Sequence, residues 1–250
     1  MAHRAMISVV VPCFNEEPTI PMLRDVLARM VAALAESHEV EILFIDDGST
    51  DGTRAALVEL APQLRGRVLI HERNQGIAAA FRTGFRAAQG DIVCTIDADC
   101  TCDPLELIPM VAELESSDAD IIAASPYHPR GGVEGVPAWR LLLSRGASWL
   151  YGYILPVKLY TYTVCFRAFK RAAVQRVEFA DPGFLGVTEM LASALQQGLT
   201  VVEHPIILRR RVTGVSKMRT LSVIGDHVSF MLRLLRGRSG PVSDSVASSK

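Results

Sequence analysis

The sequence contains no long uncharged apolar run and no dense block of like charge. Its longest stretch without Asp, Glu, Lys or Arg is the 13-residue segment Met190–Val202, which includes two glutamines and a glycine. A membrane-spanning helix needs roughly 20 predominantly apolar residues, so no such helix is predicted. The chain has 26 Lys and Arg against 27 Asp and Glu, and the lack of a basic block predicts no nucleic-acid partner.

Disulfide and zinc frameworks are also missing. The five cysteines are odd in number and scattered, at positions Cys13, Cys94, Cys100, Cys102 and Cys165. Cys100 and Cys102 form a C-x-C pair, but no second pair accompanies them to complete a zinc site. Residues 1–6 lead into a strand-like segment rather than a signal-peptide pattern. These features predict reduced thiols in a cytoplasmic protein.

The charge that is present divides unevenly along the chain. Residues 1–125 hold nine basic and 20 acidic side chains, a net of −11, whereas residues 126–250 hold 17 basic and seven acidic, a net of +10. The two halves are therefore expected to handle different charged groups. With 49% hydrophobic residues, the chain can also bury a large core.

Buried-type strands alternate with amphipathic helices through the first half. The predicted strands are Ile7–Val11, Glu41–Ile45, Val68–His71, Asp91–Ile96 and Asp120–Ala124. The predicted helices are Thr19–Ala35, one ending at Leu64, Gly76–Gln89 and Pro104–Leu114. Short strands alternating with helices are typical of parallel sheets covered on both faces. The predicted fold class is therefore α/β, with a doubly wound, mostly parallel, Rossmann-like sheet.

The second half is less regular. Residues 125–136 contain three glycines and two prolines, which predicts a loop that serves as a lid or hinge. Helices are predicted at Trp139–Leu155 and Leu221–Leu235, and strands at Leu199–Val202 and Pro205–Leu208. The Ser-rich residues 239–250 are predicted to be disordered.

Three acidic segments follow strands of the first half. They are Pro12–Glu17, Asp46–Asp51 and Asp97–Asp103. Ligands bind beyond the carboxyl ends of the strands in open α/β sheets. We therefore expect these segments to meet at one edge of the sheet and form a site.

Asp97 and Asp99 form a D-x-D pair directly after a buried strand. Two carboxylates so close repel each other unless a cation lies beside them, and oxygen ligands suit Mg²⁺ or Mn²⁺. A divalent metal on a diphosphate would give the pair a function; the alternative is a solvated acidic turn, because D-x-D is common by chance. Asp46 or Asp47, in the turn after the second strand, can contact a base or ribose as carboxylates do in dinucleotide sites.

Short motifs over residues 6–220 occur in the order seen in a known enzyme family. They lie at residues 9–17, 46–53, 74–76 with Gly84, 97–99, 140–146, 163–167, 183–189, 203–205 and 211–217. Each motif alone is weak evidence, but the ordered set resembles the inverting glycosyltransferases of family 2, which have a GT-A fold. Within that family, the chain resembles the dolichyl- and polyprenyl-phosphate hexosyltransferases.

The resemblance implies a metal-dependent transfer of a hexose from a sugar nucleotide to a polyprenyl phosphate. GDP-mannose is the first expected donor and UDP-glucose the second. The residues implied at the sugar nucleotide are Pro12, Phe14, Glu16, Asp46, Asp47, Asp97, Ala98, Asp99 and Arg211. Asp97 and Asp99 are implied as catalytic residues and as ligands of Mg²⁺ or Mn²⁺. The residues implied at the acceptor phosphate are Arg140, Ser144 and Lys217.

The resemblance also implies one GT-A domain over residues 1–238, followed by the tail at 239–250. In this division, residues 1–125 form the nucleotide-sugar half, 126–220 the acceptor half and 221–238 an amphipathic helix. Two alternatives stay open for that helix: it lies on an anionic membrane surface, or it packs on the domain. The expected location is cytoplasmic, with peripheral contact to the cytoplasmic membrane face in the first case.

Four positions depart from the family pattern. Thr101 stands where Gln is frequent, Pro126 where an Arg is usual, Phe14 where Tyr is frequent and Thr161 where many members have Asp. These departures keep two alternative functions open. One is the same fold and donor with a soluble acceptor, such as a glycan or natural product. The other is a nucleotide-sugar binding module without catalysis.

Overall fold

The computed structural model describes residues 4–211 and 220–236. The strands are β1 (Met6–Cys13), β2 (Glu39–Asp46), β3 (Gly66–Ile70), β4 (Ile92–Thr95), β5 (Ile121–Ser125), β6 (Gly132–Glu134), β7 (Arg167–Lys170), β8 (Val201–Pro205) and β9 (Ile207–Arg209). The α-helices are α1 (Ile20–Leu34), α2 (Thr53–Leu60), α3 (Ile77–Ala87), α4 (Leu107–Ser116), α5 (Ala138–Ile154), α6 (Arg171–Val174), α7 (Phe184–Gln196) and α8 (Thr220–Leu235). Short 3-10 turns at Glu17–Thr19, Ala61–Leu64 and Pro104–Glu106 adjoin α1, α2 and α4.

A seven-stranded sheet forms the centre of the molecule, in the order β3-β2-β1-β4-β7-β5-β8. Neighbouring strands are parallel except at β7, which runs antiparallel to both β4 and β5. Buried side chains pack on both faces of this sheet. The predicted α/β class with a doubly wound, mostly parallel sheet is confirmed.

Two short strands, the four-residue helix α6 and one longer helix are absent from the sequence-based prediction. β7 has four residues and carries a charged side chain at each end, so it lacks the pattern of a buried strand. β6 falls within residues 125–136, which were expected to form only a loop, and it pairs in parallel with β9. The longer helix is α7, which covers part of the long uncharged run. Strands this short are stabilised by pairing with strands that are distant in the chain. The local pattern of apolar residues therefore does not predict such short strands.

Side chains of β1 alternate between two apolar layers. Val9 and Val11 pack in the cluster that contains Leu23 of α1, whereas Val10 packs in the cluster that contains Phe81 of α3. All of these side chains are fully buried, in keeping with the two-residue period of a strand. Because β1 is covered on both faces, its carboxyl end is a rigid base for the loop that follows.

α8 packs against α5 and α7. Met231 is buried in this contact, the Tyr151 hydroxyl lies 2.8 Å from His227 Nδ1, and Arg233 Nη2 lies 3.3 Å from Glu189 Oε1. Of the two alternatives for this helix, packing on the domain is thus observed. Across residues 4–211 and 220–236, no helix is long and apolar enough to cross a membrane.

The close contact between α3 and β1 gives a test of the packing. A Cβ atom at Gly84 would lie 2.2 Å from Val10 Cγ1, whereas one at Gly146 of α5 would meet nothing within 4 Å. Replacing a helical Gly by Ala favours the helix by about 1 kcal/mol, but overpacking costs about 1–3 kcal/mol. We expect Gly84→Ala to lower the free energy of unfolding and Gly146→Ala to raise it. Urea unfolding of both variants checks this, and equal shifts would contradict it.

Candidate active site

Hydrogen bonds join the loops that follow β1 and β2. The Asn15 amide donates to Ser49 Oγ at 3.0 Å, and Asn15 Oδ1 accepts from the Thr50 amide at 2.7 Å. Asn15 has a φ of 52°, a left-handed conformation that Asn tolerates better than most residues. The next amide, that of Glu16, donates to Thr53 Oγ1 at 2.7 Å. The Glu16 backbone is therefore fixed against the β2 loop.

Asp47 accepts four hydrogen bonds from the segment that follows β3. Its Oδ1 lies 2.7 Å from His71 Nδ1 and 2.9 Å from the Gln75 amide, and its Oδ2 accepts from Asn74 Nδ2 at 2.9 Å and the Gly76 amide at 2.8 Å. A carboxylate has about four lone-pair sites. A nucleotide contact from Asp47 would therefore require one of these bonds to be exchanged.

Asp46 is fully buried and also has internal partners. Its Oδ1 accepts from the Ser49 amide at 3.0 Å, and its Oδ2 lies 2.7 Å from Nε of the half-exposed Arg54. From the sequence, Asp46 and Asp47 are equivalent candidates, whereas the structure ties them to different elements. Asp46 holds its own turn and α2, and Asp47 holds residues 71–76.

The D-x-D pair lies directly beyond β4. Asp97 is half-buried, and its Oδ1 accepts a hydrogen bond from Cys165 Sγ at 2.8 Å. Burial, together with the nearby charge of Asp99, raises the pKa of Asp97 to about 7. Burial also holds the pKa of the Cys165 thiol well above its usual range, so the thiol is a donor. Asp99 Oδ1 accepts from the Thr101 amide at 3.1 Å, a contact that does not depend on the side chain at position 101.

Arg211 connects the loops beyond β1 and β4. Its Nη2 hydrogen-bonds Glu16 Oε2, and its Nη1 lies 3.7 Å from Asp99 Oδ2. All three side chains are largely buried. Pro12 near the end of β1 is half-buried, as is Phe14 in the same loop as Glu16, and Ala98 is buried. The predicted donor residues from three separate parts of the chain thus lie at one edge of the sheet.

Two of the three acceptor-side candidates, Arg140 and Ser144, lie on α5. Ser144 Oγ is 2.7 Å from Thr163 Oγ1, and Thr163 is two residues before the Cys165 that contacts Asp97. Arg140 stacks over the Trp139 ring at 5.3 Å, and its buried Nε has no hydrogen-bond partner within the part of the chain that the structure describes. Lys217 lies outside the described residues.

The segment from Thr161 to Arg167 contributes contacts that the sequence analysis did not identify. Thr161 Oγ1 lies 2.9 Å from Ser125 Oγ. Arg167 is buried and donates to the carbonyls of Val187 and Tyr162, and burial lowers its pKa to about 10. The segment runs into β7, whose antiparallel register beside β4 pairs Arg167 with Thr95. If β7 had been predicted as a strand beside β4, its register would have placed this segment next to Asp97.

The donor set at the D-x-D pair fits the expected cation. Among the residues at 4–211 and 220–236, no group of three or more His, Cys, Asp or Glu side chains is arranged to hold a metal by itself. Mg²⁺ is usually bound through one or two carboxylates together with substrate phosphates. Asp97 and Asp99 match that pattern as a pair of carboxylates, and a bound cation would offset their mutual repulsion.

Comparison with known proteins identifies relatives of this chain. A family model described as glycosyl transferase family 2 matches residues 8–178. Polyprenol monophosphomannose synthase of Mycolicibacterium smegmatis is 32% identical, over 84% of this chain and 80% of that protein. Dodecaprenyl-phosphate galacturonate synthase of Rhizobium johnstonii is 30% identical, over 90% of this chain. The chain spans 66% of the length of this second relative.

Solved structures show the same fold. One is glucosyl-3-phosphoglycerate synthase from Mycobacterium tuberculosis in complex with Mn²⁺, UDP and glucosyl-3-phosphoglycerate. It superposes with a TM-score of 0.64 at 22% identity, over 94% of this chain and 80% of that chain. The expected GT-A fold is confirmed by this match together with the family model.

The four bonds to Asp47 give a test of its positioning role. Asp47→Asn places an NH₂ group against N–H donors, and a buried polar group left unpaired costs about 1–3 kcal/mol. We expect this loss in the free energy of unfolding, measured by urea denaturation. Asp118→Asn, at an exposed position, is the matched control and should stay within about 0.5 kcal/mol of the wild type. An Asp47→Asn variant as stable as the control would show that the network contributes little.

Proposed function

The chain belongs to glycosyl transferase family 2, and we propose that it transfers a hexose from a sugar nucleotide to a polyprenyl phosphate, with inversion at the anomeric carbon. The observation that supports this most is the meeting of Asp97, Asp99 and Arg211 at the sheet edge, with Ser144 of α5 linked to the same edge through Thr163. One basic side chain, Arg211, thus lies beside the carboxylates of this edge. The two relatives described above are named for the synthesis of a polyprenol monophosphomannose and of a dodecaprenyl-phosphate galacturonate.

The order of the strands suits a nucleoside diphosphate. β1 lies between β4 and β2, and with neighbouring strands about 4.8 Å apart, the ends of β4 and β2 are separated by about 10 Å. In our proposal the diphosphate lies at β4, the ribose near β1 and the base towards β2. The residues assigned to the donor are Pro12, Phe14, Glu16, Asp46, Asp47, Asp97, Ala98, Asp99 and Arg211.

Asp97 and Asp99 would hold the Mg²⁺ or Mn²⁺ ion of the donor complex. When bound, the cation neutralises charge on the leaving nucleoside diphosphate. Arg211 adds a fixed positive charge at the same edge, where its present partners are Glu16 and Asp99. Its planar group can bind phosphate oxygens in pairs, so it is suited to stabilise the leaving group.

The acceptor side is assigned to Arg140, Ser144 and Lys217. The Nε of Arg140 has no hydrogen-bond partner among the described residues, and we assign it as a donor to the acceptor phosphate. A phosphate monoester has a second pKa of about 6, so its oxygen is already anionic near neutral pH and needs no strong general base. That oxygen forms a bond to the anomeric carbon while the bond to the nucleoside diphosphate breaks on the opposite face. Positioning and charge stabilisation then supply most of the rate.

Helix α5, which carries Arg140 and Ser144, also exposes an apolar, aromatic face. We propose that this face lies on an anionic membrane surface. Leu142, Trp149 and Tyr153 of α5 are exposed, and Lys158 Nζ lies 5.8 Å from the Tyr153 ring. Trp and Tyr are favoured at the level of lipid headgroups, and basic residues there are attracted to anionic lipids. α8, which packs on α5, exposes a second apolar row, at Ile224, Val228, Leu232 and Leu235.

The donor sugar is proposed as mannose, carried by GDP, with glucose on UDP as the second choice. The two relatives are named for different sugars, a mannose and a galacturonate. The sugar is thus expected to depend on a few loop contacts rather than on the shared sheet edge. Transfer assays with both nucleotides and both classes of acceptor address this choice directly.

The metal pair gives the main test of this function. We expect transfer of radiolabelled sugar from GDP-mannose or UDP-glucose to a polyprenyl phosphate, with Mg²⁺ or Mn²⁺ present. Asp99→Asn should lose at least about 100-fold in turnover even with excess Mn²⁺, because charge stabilisation of a leaving group is worth several kcal/mol. Asp103→Asn lies in the same loop and keeps the side-chain oxygen that caps Leu105, so it should retain wild-type turnover.

Three outcomes would contradict the proposal. Full activity of Asp99→Asn would remove the metal assignment. Transfer to a soluble sugar or natural-product acceptor, with none to the lipid phosphate, would favour the alternative acceptor class. Binding of sugar nucleotides without any transfer or hydrolysis would indicate a binding module.

The membrane proposal is tested by flotation with vesicles that contain anionic lipid. Deleting α8 would expose the cluster around Met231, so point variants are preferable. We expect Trp149→Glu to reduce the vesicle-bound fraction several-fold, because it places a negative charge against an anionic surface. Val58→Glu is the matched control, since Val58 of α2 is 54% exposed and Trp149 is 58% exposed. Equal loss in both variants, or no loss in either, would argue against α5 as the membrane face.

A further inference from the structure

The backbone of Cys165 is aligned with the D-x-D pair by the register of β7. β7 pairs antiparallel with β4, with Thr95 opposite Arg167. Extending this register by two residues places Cys165 opposite Asp97. The Thr95 hydroxyl donates to the Cys165 carbonyl and fixes it there. The thiol then donates to Asp97 Oδ1 at 2.8 Å.

The thiol is held in place by its surroundings. Cys165 is 7% exposed and belongs to the apolar cluster that contains Val10, Ile121 and Phe169. A side chain packed in this way has little freedom to rotate towards solvent. The hydrogen bond to Asp97 is therefore a fixed feature of the edge rather than a surface contact.

The two carboxylates of the pair are anchored differently. Asp99 accepts from the Thr101 amide and faces Arg211. For Asp97, the Cys165 thiol is the hydrogen-bond donor found within residues 4–211 and 220–236. The carboxylate torsion of Asp is broad, so without the thiol no hydrogen bond from the described residues would fix the orientation of Asp97.

We propose that Cys165 is a positioning residue that orients the Asp97 carboxylate for the divalent cation. This inference rests on the proposed function, because it requires Asp97 to be a metal ligand. Groups that hydrogen-bond a metal ligand typically contribute about 10- to 100-fold to metal affinity. A role in packing alone would instead affect stability and leave the affinity of the folded protein unchanged.

Variants at this position separate the hydrogen bond from the packing. Cys165→Ser keeps a donor of similar size, Cys165→Ala removes the donor, and Cys165→Val removes the donor but keeps an apolar side chain. Cys94→Ala is the control for loss of a buried thiol, since Cys94 is fully buried in β4 and belongs to the apolar cluster on the other face of the sheet.

The experiment is a Mn²⁺ titration of the full-length chain, followed by the electron paramagnetic resonance signal of free Mn²⁺, with GDP or UDP present. We expect the Mn²⁺ Kd to rise about 10-fold or more in Cys165→Ala and Cys165→Val. Cys165→Ser should stay within about threefold of the wild type, and Cys94→Ala should be unchanged. Melting temperatures measured in EDTA report the packing contribution separately and confirm that each variant is folded.

The outcomes distinguish this inference from the function on which it rests. Wild-type affinity in both Cys165→Ala and Cys165→Val would overturn the positioning role alone. Weak binding in Cys165→Ser equal to that of Cys165→Ala would also overturn it, because restoring the donor would have no effect. Absence of Mn²⁺ binding by the wild type with either nucleotide would overturn the metal assignment and this inference together.

Discussion

Charge compensation at the carboxyl edge of the sheet is the interaction on which the candidate site depends. Parallel strands deliver acidic loops to one edge, and Glu16, Asp97 and Asp99 would repel each other there. Arg211 contacts two of these carboxylates although it is more than 100 residues away from them in the chain. The uneven charge of the two halves therefore has a local counterpart, since a basic residue of the second half stabilises acids of the first.

The same constraint explains why the loops are so heavily hydrogen-bonded. An acidic edge without ligand is stable only if its carboxylates have donors or cations as partners. Asp47 has four such donors, Asp46 has Ser49 and Arg54, and Asp97 has Cys165. The fold thus organises the edge before any donor is bound, which reduces the reorganisation that binding requires.

The sequence predicts those parts of the fold that are determined locally. β1, β2 and the helix α1 between them are predicted because buried β-branched runs and 3.6-residue spacing are local patterns. The placement of Asp97 and Asp99 at the sheet edge also follows, because topology alone dictates it. Cys165 could not be placed, since its contact with Asp97 depends on the register of a four-residue strand. The separate partners of Asp46 and Asp47 likewise depend on side-chain directions that adjacent positions in a sequence do not reveal.

The position of β7 has a consequence for how the chain folds. β5 joins the sheet beside β7, not beside β4, although β4 and β5 are separated by a single helix in the chain. During synthesis from the N-terminus, β5 and the strands that depend on it cannot take their final places until residue 170 has been made. The first 125 residues are therefore not expected to complete their sheet alone, and a ribosome-bound fragment of that length would carry an unpaired β4 edge.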